Sequence, residues 1–347
     1  MSRFRRGLPS CPARREPCYG RSTAWRNSSV TFTLAHLSDI HLGPMPGFWP
    51  RHWNTKRLLG FLNWQRRRRF VHRPDIVMRL VEDLRAQGAD HIAVSGDLTN
   101  IGMPSEHAWS LAWLEQLGPP DHVSVIPGNH DVYSPLRRDP GVLRWRPYMT
   151  GETVDEAETP RRENATLSQL FPYVRRIGPI ALIGVNSAVP TPPGIATGFV
   201  DPAQLDRLEQ LLTRLQSEEL ARVVMVHHPP LAGQASPRRA LTNAAVLEEL
   251  LCRCGADLVI HGHNHRQMLA WRQGPEAAFP VVGIPSASVA RAGRHEQRAA
   301  YNLYRFAAEG ASSAIEMVTR GLAEDEGPVV ELGRQMLAAP ATVDKQT

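Results

Sequence analysis

Three histidines stand at alternate positions in the segment DLVIHGHNHRQM, which covers residues 257–268. They are His261, His263 and His265, and they follow a short apolar run that is typical of a buried strand. Because alternate side chains of a strand share a face, the strand end can direct several imidazole rings towards one point, and Gly262 allows a sharp turn. Rings grouped in this way predict a metal site, although a lone His-x-His pair is more typical of a strand end in water.

Four further apolar runs also end in side chains that can bind metal, in the motifs SDIH, GDLTN, GNHD and HHPP. In open α/β sheets, ligands bind beyond the carboxyl ends of the strands, so five such segments can converge on one site. Each motif alone is common by chance, and the prediction depends on their all standing at strand ends. The side chains concerned are Asp39, His41, Asp97, Asn100, Asn129, His130, Asp131, His227 and His228.

The donors in these segments are carboxylate oxygen, amide oxygen and imidazole nitrogen, without thiolate. This set suits manganese, iron or zinc, whereas calcium would take only oxygen ligands and a structural zinc would usually recruit cysteine. The donor chemistry fits two metal ions, divalent or of mixed valence.

The elements that must position these side chains alternate between strand-like and helix-like patterns from Thr31 onward. Helical periodicity predicts one helix from Pro74 that stops at Gly88 and another from Pro202 through Leu215. The apolar runs are rich in Val and Ile and lack strict alternation, as buried strands do. They are TFTLAHL, HIAV, VSVI, PIALIGV, RVVMV, DLVI and PVVGI, with a later meander around YNLYRF and SAIEMV. This order predicts a layered α/β fold.

The basic charge of the chain is concentrated in two segments. The chain has 347 residues, 42% of them hydrophobic, and a formal net charge of +6, which excludes a disordered protein. Residues 1–30 hold seven arginines against Glu16, and residues 49–73 hold eight lysines or arginines and no acid, so the remainder is near −8. Local basicity favours a localised anionic contact over general nucleic-acid binding.

The predicted domain covers residues 31–321. Residues 1–30 predict a disordered basic arm, although a targeting segment or a start assigned too early would have the same composition. Residues 132–172, rich in Arg, Pro and acids, predict a long surface loop or lid, and residues 322–347 predict a tail.

The four cysteines form neither a zinc motif nor an obvious disulfide pattern, which favours a reducing cytoplasm. No apolar run approaches the roughly 18 residues of a membrane span. We therefore expect a cytoplasmic protein whose membrane contact, if it has one, is peripheral on the inner face.

Taken together, the five segments resemble the calcineurin-like metallophosphoesterase superfamily. The matching residues are Asp39-x-His41, Gly96-Asp97, Gly128-Asn129-His130-Asp131, His227 and Gly262-His263-x-His265. The resemblance covers about residues 31–318, and it is specific for the fold and the binuclear site but not for the substrate. It implies a metallo-dependent phosphatase-like fold, a four-layer α/β/β/α sandwich in which two sheets pack face to face between helices.

The resemblance also implies a role for each residue of the site. It places Asp39, His41 and His265 on one metal ion and Asn129, His227 and His263 on the other. Asp97 would bridge the two ions, and a metal-bridging hydroxide would attack the phosphorus atom. His130 would donate a proton to the leaving oxygen or stabilise charge on the phosphoryl oxygens. The implied activity is metal-dependent hydrolysis of a phosphodiester or pyrophosphate bond.

The motifs leave several substrates open. GDLTN with HHPP is more similar to bacterial phosphodiesterases of the cyclic-nucleotide and glycerophosphodiester type than to protein Ser/Thr phosphatases. SDIHLG is also similar to the nuclease branch, but no DNA-binding extension is visible, so nucleic acid is not expected as a partner. An alternative of another class is a non-catalytic scaffold with this fold, and the complete ligand set with His130 argues against it.

A basic aromatic insertion, residues 49–73, follows the first metal motif. Its central residues form an apolar block between Lys56-Arg57 and the arginine run at 66–69. The segment could lie on an anionic membrane surface, with Trp53 and the block at the acyl chains. It resembles the Lys-Arg-x-x-Gly-x-x-Asn insertion of lipid A pyrophosphatases that cleave UDP-2,3-diacylglucosamine. The alternative is an ordinary amphipathic helix packed on the core. The block comprises Leu58, Leu59, Phe61, Leu62 and Trp64.

Overall fold

The computed structural model describes residues 31–45, 52, 54–136, 139–151, 166–294, 296–307 and 315–338. The predicted basic arm, Trp53 and residues 152–165 of the predicted lid lie outside these ranges.

Short strands and helices alternate through most of the chain. The strands are β1 (Thr31–Leu37), β2 (His91–Val94), β3 (Val123–Val125), β4 (Tyr173–Ile177), β5 (Ile180–Val185), β6 (Ala221–Val226), β7 (Leu258–His261), β8 (Met268–Gln273), β9 (Ala278–Gly283), β10 (Ala300–Ala307), β11 (Ile315–Leu322) and β12 (Val329–Leu337). The α-helices are α1 (Thr55–Asn63), α2 (Arg69–Val71), α3 (Pro74–Ala86), α4 (Pro104–Leu117), α5 (Pro202–Leu215) and α6 (Ala244–Cys254). A π-helical turn (Trp64–Arg68) joins α1 to α2, and 3-10 helices cover Gly141–Met149 and Leu167–Gln169.

The strands form two six-stranded sheets with parallel strands at their centres. The first sheet has the order β12-β11-β10-β1-β2-β3, and the second has the order β4-β5-β6-β7-β9-β8. Strands β1, β2 and β3 are parallel, as are β5, β6, β7 and β9, whereas the remaining pairs are antiparallel. At one end of each sheet, the carboxyl ends of several parallel strands therefore lie side by side.

Alternate side chains of the second sheet pack into two different cores. In β6, Val223 and Met225 belong to the core that also contains the first sheet, whereas Val224 and Val226 pack with α5 and α6. Helix α3 contributes Ile76 to the core of the first sheet. The order is therefore helices, sheet, sheet, helices, and the predicted four-layer α/β/β/α sandwich is confirmed.

Two helices begin where their sequences predict. Pro74 and Pro202 occupy the first turns of α3 and α5, where a missing N–H costs nothing. The Asp201 carboxylate caps α5 by accepting from the Ala203 N–H at 3.0 Å. The apolar stripe of each helix is buried, which accounts for the clear helical periodicity.

The prediction of a tail over residues 322–347 is wrong for residues 329–337. These residues form β12, which pairs antiparallel with β11 from Val329 opposite Leu322 to Leu337 opposite Ile315. Most β12 side chains are exposed, so this edge strand lacks the buried alternate face that makes a strand recognisable in a sequence.

The prediction of a surface loop over residues 132–172 is wrong for residues 141–149. Trp145 is fully buried within the 3-10 helix, and its indole N–H donates to the His107 carbonyl at 2.9 Å. Tyr148 and Met149 are also buried. Because 3-10 helices are short and have no 3.6-residue stripe, this segment gave no periodic signal.

In the described ranges, no helix has both the length and the apolar composition needed to cross a bilayer.

An ion pair that joins α3 to β11 gives a test of the fold. Arg320 donates two hydrogen bonds of 2.7 Å to the Asp83 carboxylate, which also accepts from the Tyr301 hydroxyl. Burial alone would raise the pKa of Asp83, but these donors lower it below its ordinary value. Asp83→Asn should therefore reduce the free energy of unfolding by about 1–3 kcal/mol at pH 7.

A lowered pKa stabilises the fold above the unfolded value of about 3.9, and this contribution is lost as the pH falls through the folded pKa. The difference between wild type and Asp83→Asn should thus disappear in acid, as measured by urea unfolding. The matched control is Asp75→Asn on the same helix, since the Asp75 side chain is 51% exposed in its pair with Arg73 and should matter by less than about 1 kcal/mol. Equal losses in both variants would contradict this account.

Candidate metal centre

The predicted site residues all lie at the facing carboxyl ends of strands from the two sheets. In the first sheet, Asp39 and His41 follow β1, Asp97 follows β2, and Asn129 and His130 follow β3. In the second sheet, His227 follows β6, and His263 and His265 follow β7. Most of them are buried, and all of them come together although the chain separates them widely. In chain order they are Asp39, His41, Asp97, Asn129, His130, His227, His263 and His265.

Six of these side chains form two clusters in which the nitrogen or oxygen donor atoms lie within 4.8 Å of one another. One cluster contains Asp39, His41 and His265, and the other contains Asp97, His227 and His263. The Asn129 amide oxygen lies 3.2 Å from His227 Nε2 and so joins the second cluster. The grouping has the same division as the partition between two metals that the resemblance implies, and the individual ligand roles stay a prediction.

Backbone carbonyls fix which nitrogen of each ring carries a proton. His41 Nδ1 lies 3.0 Å from the Thr99 carbonyl, and His227 Nδ1 lies 2.7 Å from the Ser95 carbonyl. His263 uses its other nitrogen, Nε2, which lies 2.9 Å from the Arg239 carbonyl. A carbonyl only accepts, so the opposite nitrogen of each neutral ring keeps its lone pair. Rings held in this way are suited to metal binding.

Both carboxylates are buried without a lysine or arginine partner among the described residues. Asp39 accepts from the His263 backbone N–H at 2.9 Å, and Asp97 accepts from the His130 backbone N–H at 2.7 Å. Two charges out of water require cations nearby. The donor set, its burial and its charge therefore fit two metal ions.

Five of the predicted ligands have a left-handed backbone, which is uncommon for residues other than glycine. Such conformations persist only where surrounding structure holds them, and they concentrate at functional sites. The φ angles are 54° at Asp39, 46° at His41, 56° at Asp97, 68° at His263 and 53° at His265.

Gly262 allows two loops to approach each other closely. A Cβ atom there would lie 1.9 Å from Ser38 Oγ and 2.6 Å from Asp39 Oδ2. Of the three alternating histidines only His263 and His265 enter the clusters, because His261 is still part of β7 and packs against Gly283 of the neighbouring strand.

Comparison with known proteins identifies the family. Residues 32–267 match the family described as calcineurin-like phosphoesterase. The chain belongs to this family. A probable cyclic nucleotide phosphodiesterase of Synechococcus sp. is 24% identical over 247 residues, which cover 70% of this chain and 77% of that protein. The calcineurin-like phosphoesterase is accordingly a metal-dependent phosphoester hydrolase.

Two solved structures show the same fold. A dimetal phosphatase from Danio rerio has a TM-score of 0.51 at 12% identity, over 88% of this chain and 99% of that one. The purple acid phosphatase PPD1 from yellow lupin has a TM-score of 0.51 at 14% identity, over 88% of this chain. The match spans 53% of the lupin chain, about half its length.

The carboxylates of this phosphoesterase set the charge of the neighbouring rings. Burial alone would lower the pKa of His227, but Asp97 and Asp39 reverse this effect and raise it to about 9. Asp39 likewise raises the pKa of His265 against the effect of burial. Burial, followed by the cationic Arg68, lowers the pKa of His41 well below its ordinary value.

His130 lies beside both clusters, and its ring is neutral at physiological pH. Its Nδ1 donates to the Asn100 carbonyl, and its Nε2 accepts from Arg68 at 2.8 Å. Burial first, and then Arg68, lower the pKa of His130 to about 3. The ring therefore has no free N–H in this arrangement.

Neighbouring polar residues hold the loops together. The Asp131 carboxylate accepts from the backbone N–H groups of Asp97 at 2.8 Å and Gly128 at 2.9 Å. Asn100 donates to the Leu42 carbonyl at 2.8 Å, and His228 contacts the Ser187 hydroxyl at 2.8 Å. These contacts orient the backbone that carries the clusters.

Three residues of the site were not recognised from the sequence. Arg68 donates to His41 Nε2 at 2.8 Å, and Glu296 lies 3.6 Å from His265 Nδ1. The His72 ring centre lies 4.5 Å from that of His41. The arginine run was interpreted as facing lipid or water, and Glu296 and His72 belong to no local motif that could have revealed them.

The insertion contacts the rest of the domain through its cations. Arg57 donates to the carbonyls of Ile101 at 3.3 Å, Gly102 at 3.2 Å and Ser134 at 2.8 Å. Lys56 donates to the Thr191 hydroxyl at 2.9 Å and lies 4.2 Å from the centre of the Tyr133 ring.

Gly60 lets α1 lie against Tyr133, since a Cβ atom there would be 2.5 Å from its hydroxyl. Several apolar side chains of the insertion point outwards, with exposed fractions of 36% for Leu58, 51% for Leu59 and 62% for Phe70. On helix α1 the two cations face the protein, whereas Leu58 and Leu59 face the solvent and Phe61 and Leu62 are half-buried.

A cavity of about 280 Å³ connects the metal clusters with the insertion. Its lining combines predicted ligands with residues from the π-helical turn and from the loop after β6. The lining residues are Asn63, Arg67, Arg68, Asp97, Asn129, His130, Arg239, His263, His265 and Glu296.

Metal binding to the metal-free protein should release protons at pH 7. The raised pKa of His227, about 9, means that this ring is protonated there, and Asp39 raises the pKa of His265 in the same direction, so a metal can bind only after a proton leaves. Apparent affinity for Mn²⁺ should therefore rise with pH up to about 9. Titration calorimetry in buffers of different ionisation enthalpy should detect the release of about one to two protons.

His227→Ala should release fewer protons and bind less metal. His122→Ala, an exposed histidine outside both clusters, is the control and should match wild type in proton release and in metal binding. An affinity that does not change between pH 6 and pH 9 would contradict the assigned protonation.

Proposed function

We propose that this calcineurin-like phosphoesterase hydrolyses a phosphodiester or pyrophosphate bond at a binuclear metal centre. The observation that carries the proposal is the convergence of two buried carboxylate–imidazole clusters where the carboxyl ends of strands from the two sheets face each other. A cavity that contains arginines as well as metal donors adjoins the clusters, which suits an anionic substrate.

Each cluster would hold one metal ion. Asp39, His41 and His265 would bind the first ion, and Asn129, His227 and His263 the second, with Asp97 between them. Two bound ions would supply an activated water as the nucleophile and would offset charge on the phosphoryl oxygens. Manganese, iron or zinc fits, because the described cysteines lie on α6 and contribute no thiolate to the site.

His130 would act on the charge of the phosphoryl group through Arg68, without giving up a proton. Its neutral Nε2 accepts from Arg68, so the ring orients a guanidinium group that lines the same cavity. A hydrogen-bond acceptor at this position should then matter more than a titratable group.

Substitution of the site residues tests this function. Protein reconstituted with Mn²⁺ should hydrolyse an activated aryl phosphodiester, and Asp97→Ala should abolish turnover. His130→Ala should lower kcat by about 10²- to 10⁴-fold at unchanged metal content, and His130→Gln, which retains an acceptor, should recover part of the loss. His122→Ala, an exposed histidine away from the site, is the control.

If wild-type protein turns over no phosphoester and Asp97→Ala changes neither metal content nor activity, the scaffold alternative replaces the enzyme. If His130→Gln is as slow as His130→Ala, proton donation by His130 regains support.

The outward face of the insertion favours a lipidic substrate as a second, more specific function. Leu59 and Phe70 are exposed beside the exposed arginines Arg66 and Arg69, a combination that complements an anionic membrane surface. We therefore propose a peripheral enzyme similar to the pyrophosphatases that cleave UDP-2,3-diacylglucosamine. Docking would be on the cytoplasmic face of the membrane, with the cavity mouth towards the headgroups.

Vesicle sedimentation tests the docking. The protein should pellet with anionic vesicles and not with zwitterionic ones, and salt should weaken binding, because each basic residue contributes about 1 kcal/mol near such a surface. Leu59→Ser with Trp64→Ser should abolish pelleting while turnover of a small soluble diester is unchanged. The matched control is Trp109→Ser with Val246→Ser, since both side chains are exposed elsewhere, at 46% and 52%.

Absent or equal pelleting of all three proteins would exclude the membrane role. A cyclic nucleotide would then become the leading substrate, in keeping with the Synechococcus relative. A panel of cyclic nucleotides, glycerophosphodiesters, single-stranded DNA and UDP-2,3-diacylglucosamine would discriminate among the substrates.

A further inference from the structure

Arg68 is a cation inside the candidate metal centre that makes no direct ion pair with a carboxylate of the described residues, although Asp97, Glu296 and Asp39 act on it over a longer distance. Its Nη1 donates to His130 Nε2 at 2.8 Å, and its Nη2 donates to His41 Nε2 at 2.8 Å. Its Nε atom is buried and has no hydrogen-bond partner. A buried guanidinium is stabilised best by an oxyanion that accepts two hydrogen bonds at once, and two imidazoles are poor substitutes.

The contact with His41 cannot persist when His41 binds a metal. Its Nδ1 is committed to the Thr99 carbonyl, so Nε2 holds the one lone pair that is available to either Arg68 or a metal ion. Metal binding at His41 therefore releases a donor of Arg68 beside the centre. The group that could accept this hydrogen bond is an anionic oxygen in the adjoining cavity.

The local helix geometry selects two of the four consecutive arginines for the cavity. Residues 64–68 form a π-helical turn, a widening that often marks functional sites. Arg68, which is half-buried, and Arg67, which is exposed, line the cavity, whereas the exposed Arg66 and Arg69 do not. The opposite wall carries Arg239.

The charges around the cavity also call for an anion. Asp39, Asp97 and Glu296 balance the three arginines of the lining, so two divalent ions bound to neutral imidazoles would leave a net positive charge at the centre even after His227 and His265 lose their protons. A phosphoryl group with two or more negative oxygens would offset this excess.

We propose that Arg68 binds the phosphoryl oxygens of the substrate at the metal centre, and that the insertion is built to deliver it there. Lys56 and Arg57 hold α1 against the domain, and the π-helical turn directs the guanidinium into the cavity. The inference rests on the proposed function, since it requires metals in the two clusters.

The experiment measures the affinity for phosphate, which should fall in the Arg68→Met variant, and the affinity for Mn²⁺, which should rise. Inorganic phosphate should bind Mn²⁺-loaded Arg68→Met about 10- to 100-fold more weakly than wild type, as measured by calorimetry. Mn²⁺ should bind metal-free Arg68→Met about 2- to 10-fold more tightly, because the variant removes both a competing donor and a nearby positive charge. Arg68→Lys should give an intermediate phosphate affinity, and Arg66→Met, which keeps the cavity intact, should match wild type.

A purely structural role for Arg68 would weaken both affinities, and this result would overturn the proposal. So would an unchanged phosphate affinity in Arg68→Met at full metal content. If Arg68→Met does not fold, the test rests on Arg68→Lys. Lysine keeps the positive charge but lacks the planar guanidinium group that donates two parallel hydrogen bonds. If wild-type protein itself binds neither metal nor phosphate, the proposed function fails, whatever Arg68 does.

Discussion

Two buried carboxylates and the imidazoles around them join the two sheets of the molecule. Asp39, which follows β1 of the first sheet, accepts from the His263 backbone N–H and contacts His265, both of which follow β7 of the second. Asp97, which follows β2, lies 3.5 Å from His227 at the end of β6. Because buried charges are costly unless they are paired, these contacts hold the loops in conformations that the backbone alone would not adopt. The left-handed φ angles of the predicted ligands are one consequence, and the close approach at Gly262 is another.

The cost of burying an unpaired charge also explains the orientation of the insertion. A buried arginine is tolerated when its donors are satisfied, and Arg57 meets three backbone carbonyls of loops near the site. Lys56 reaches a hydroxyl and an aromatic ring, so burial lowers its pKa, with a further contribution from Arg57, to about 8. Since Lys56 and Arg57 attach α1 to the domain, the exposed apolar side chains of the helix remain available to contact another molecule. The resemblance to a Lys-Arg-x-x-Gly-x-x-Asn segment thus acquires a structural meaning, because Lys56, Arg57 and Gly60 attach the helix, and Asn63 lines the cavity.

Much of the site could be predicted because its signals are local in the sequence. Each metal-binding motif directly follows an apolar run, and the rule that ligands gather beyond carboxyl ends requires no knowledge of sheet order. Helices α3 and α5 were recognisable because a proline precedes a buried stripe. Arg68 was not recognisable, because the four consecutive arginines have the same side chain and only the folded chain shows which of them is half-buried in the cavity. Glu296 reaches His265 from a segment about thirty residues further along, and β12 has no buried face.

The distribution of charge over the chain connects these features. Residues 49–73 hold eight basic residues and no acid, while the chain outside this segment and the first 30 residues is net acidic. Arginines of the described part of this segment line the cavity, and on an otherwise acidic domain they concentrate anions at that one place. Metals in the clusters would strengthen this field at its inner end, and Arg67 and Arg68 extend it outwards. A phosphoester would therefore be attracted increasingly from the surface to the metal centre, whereas a neutral analogue of the same shape, having no net charge, would not be.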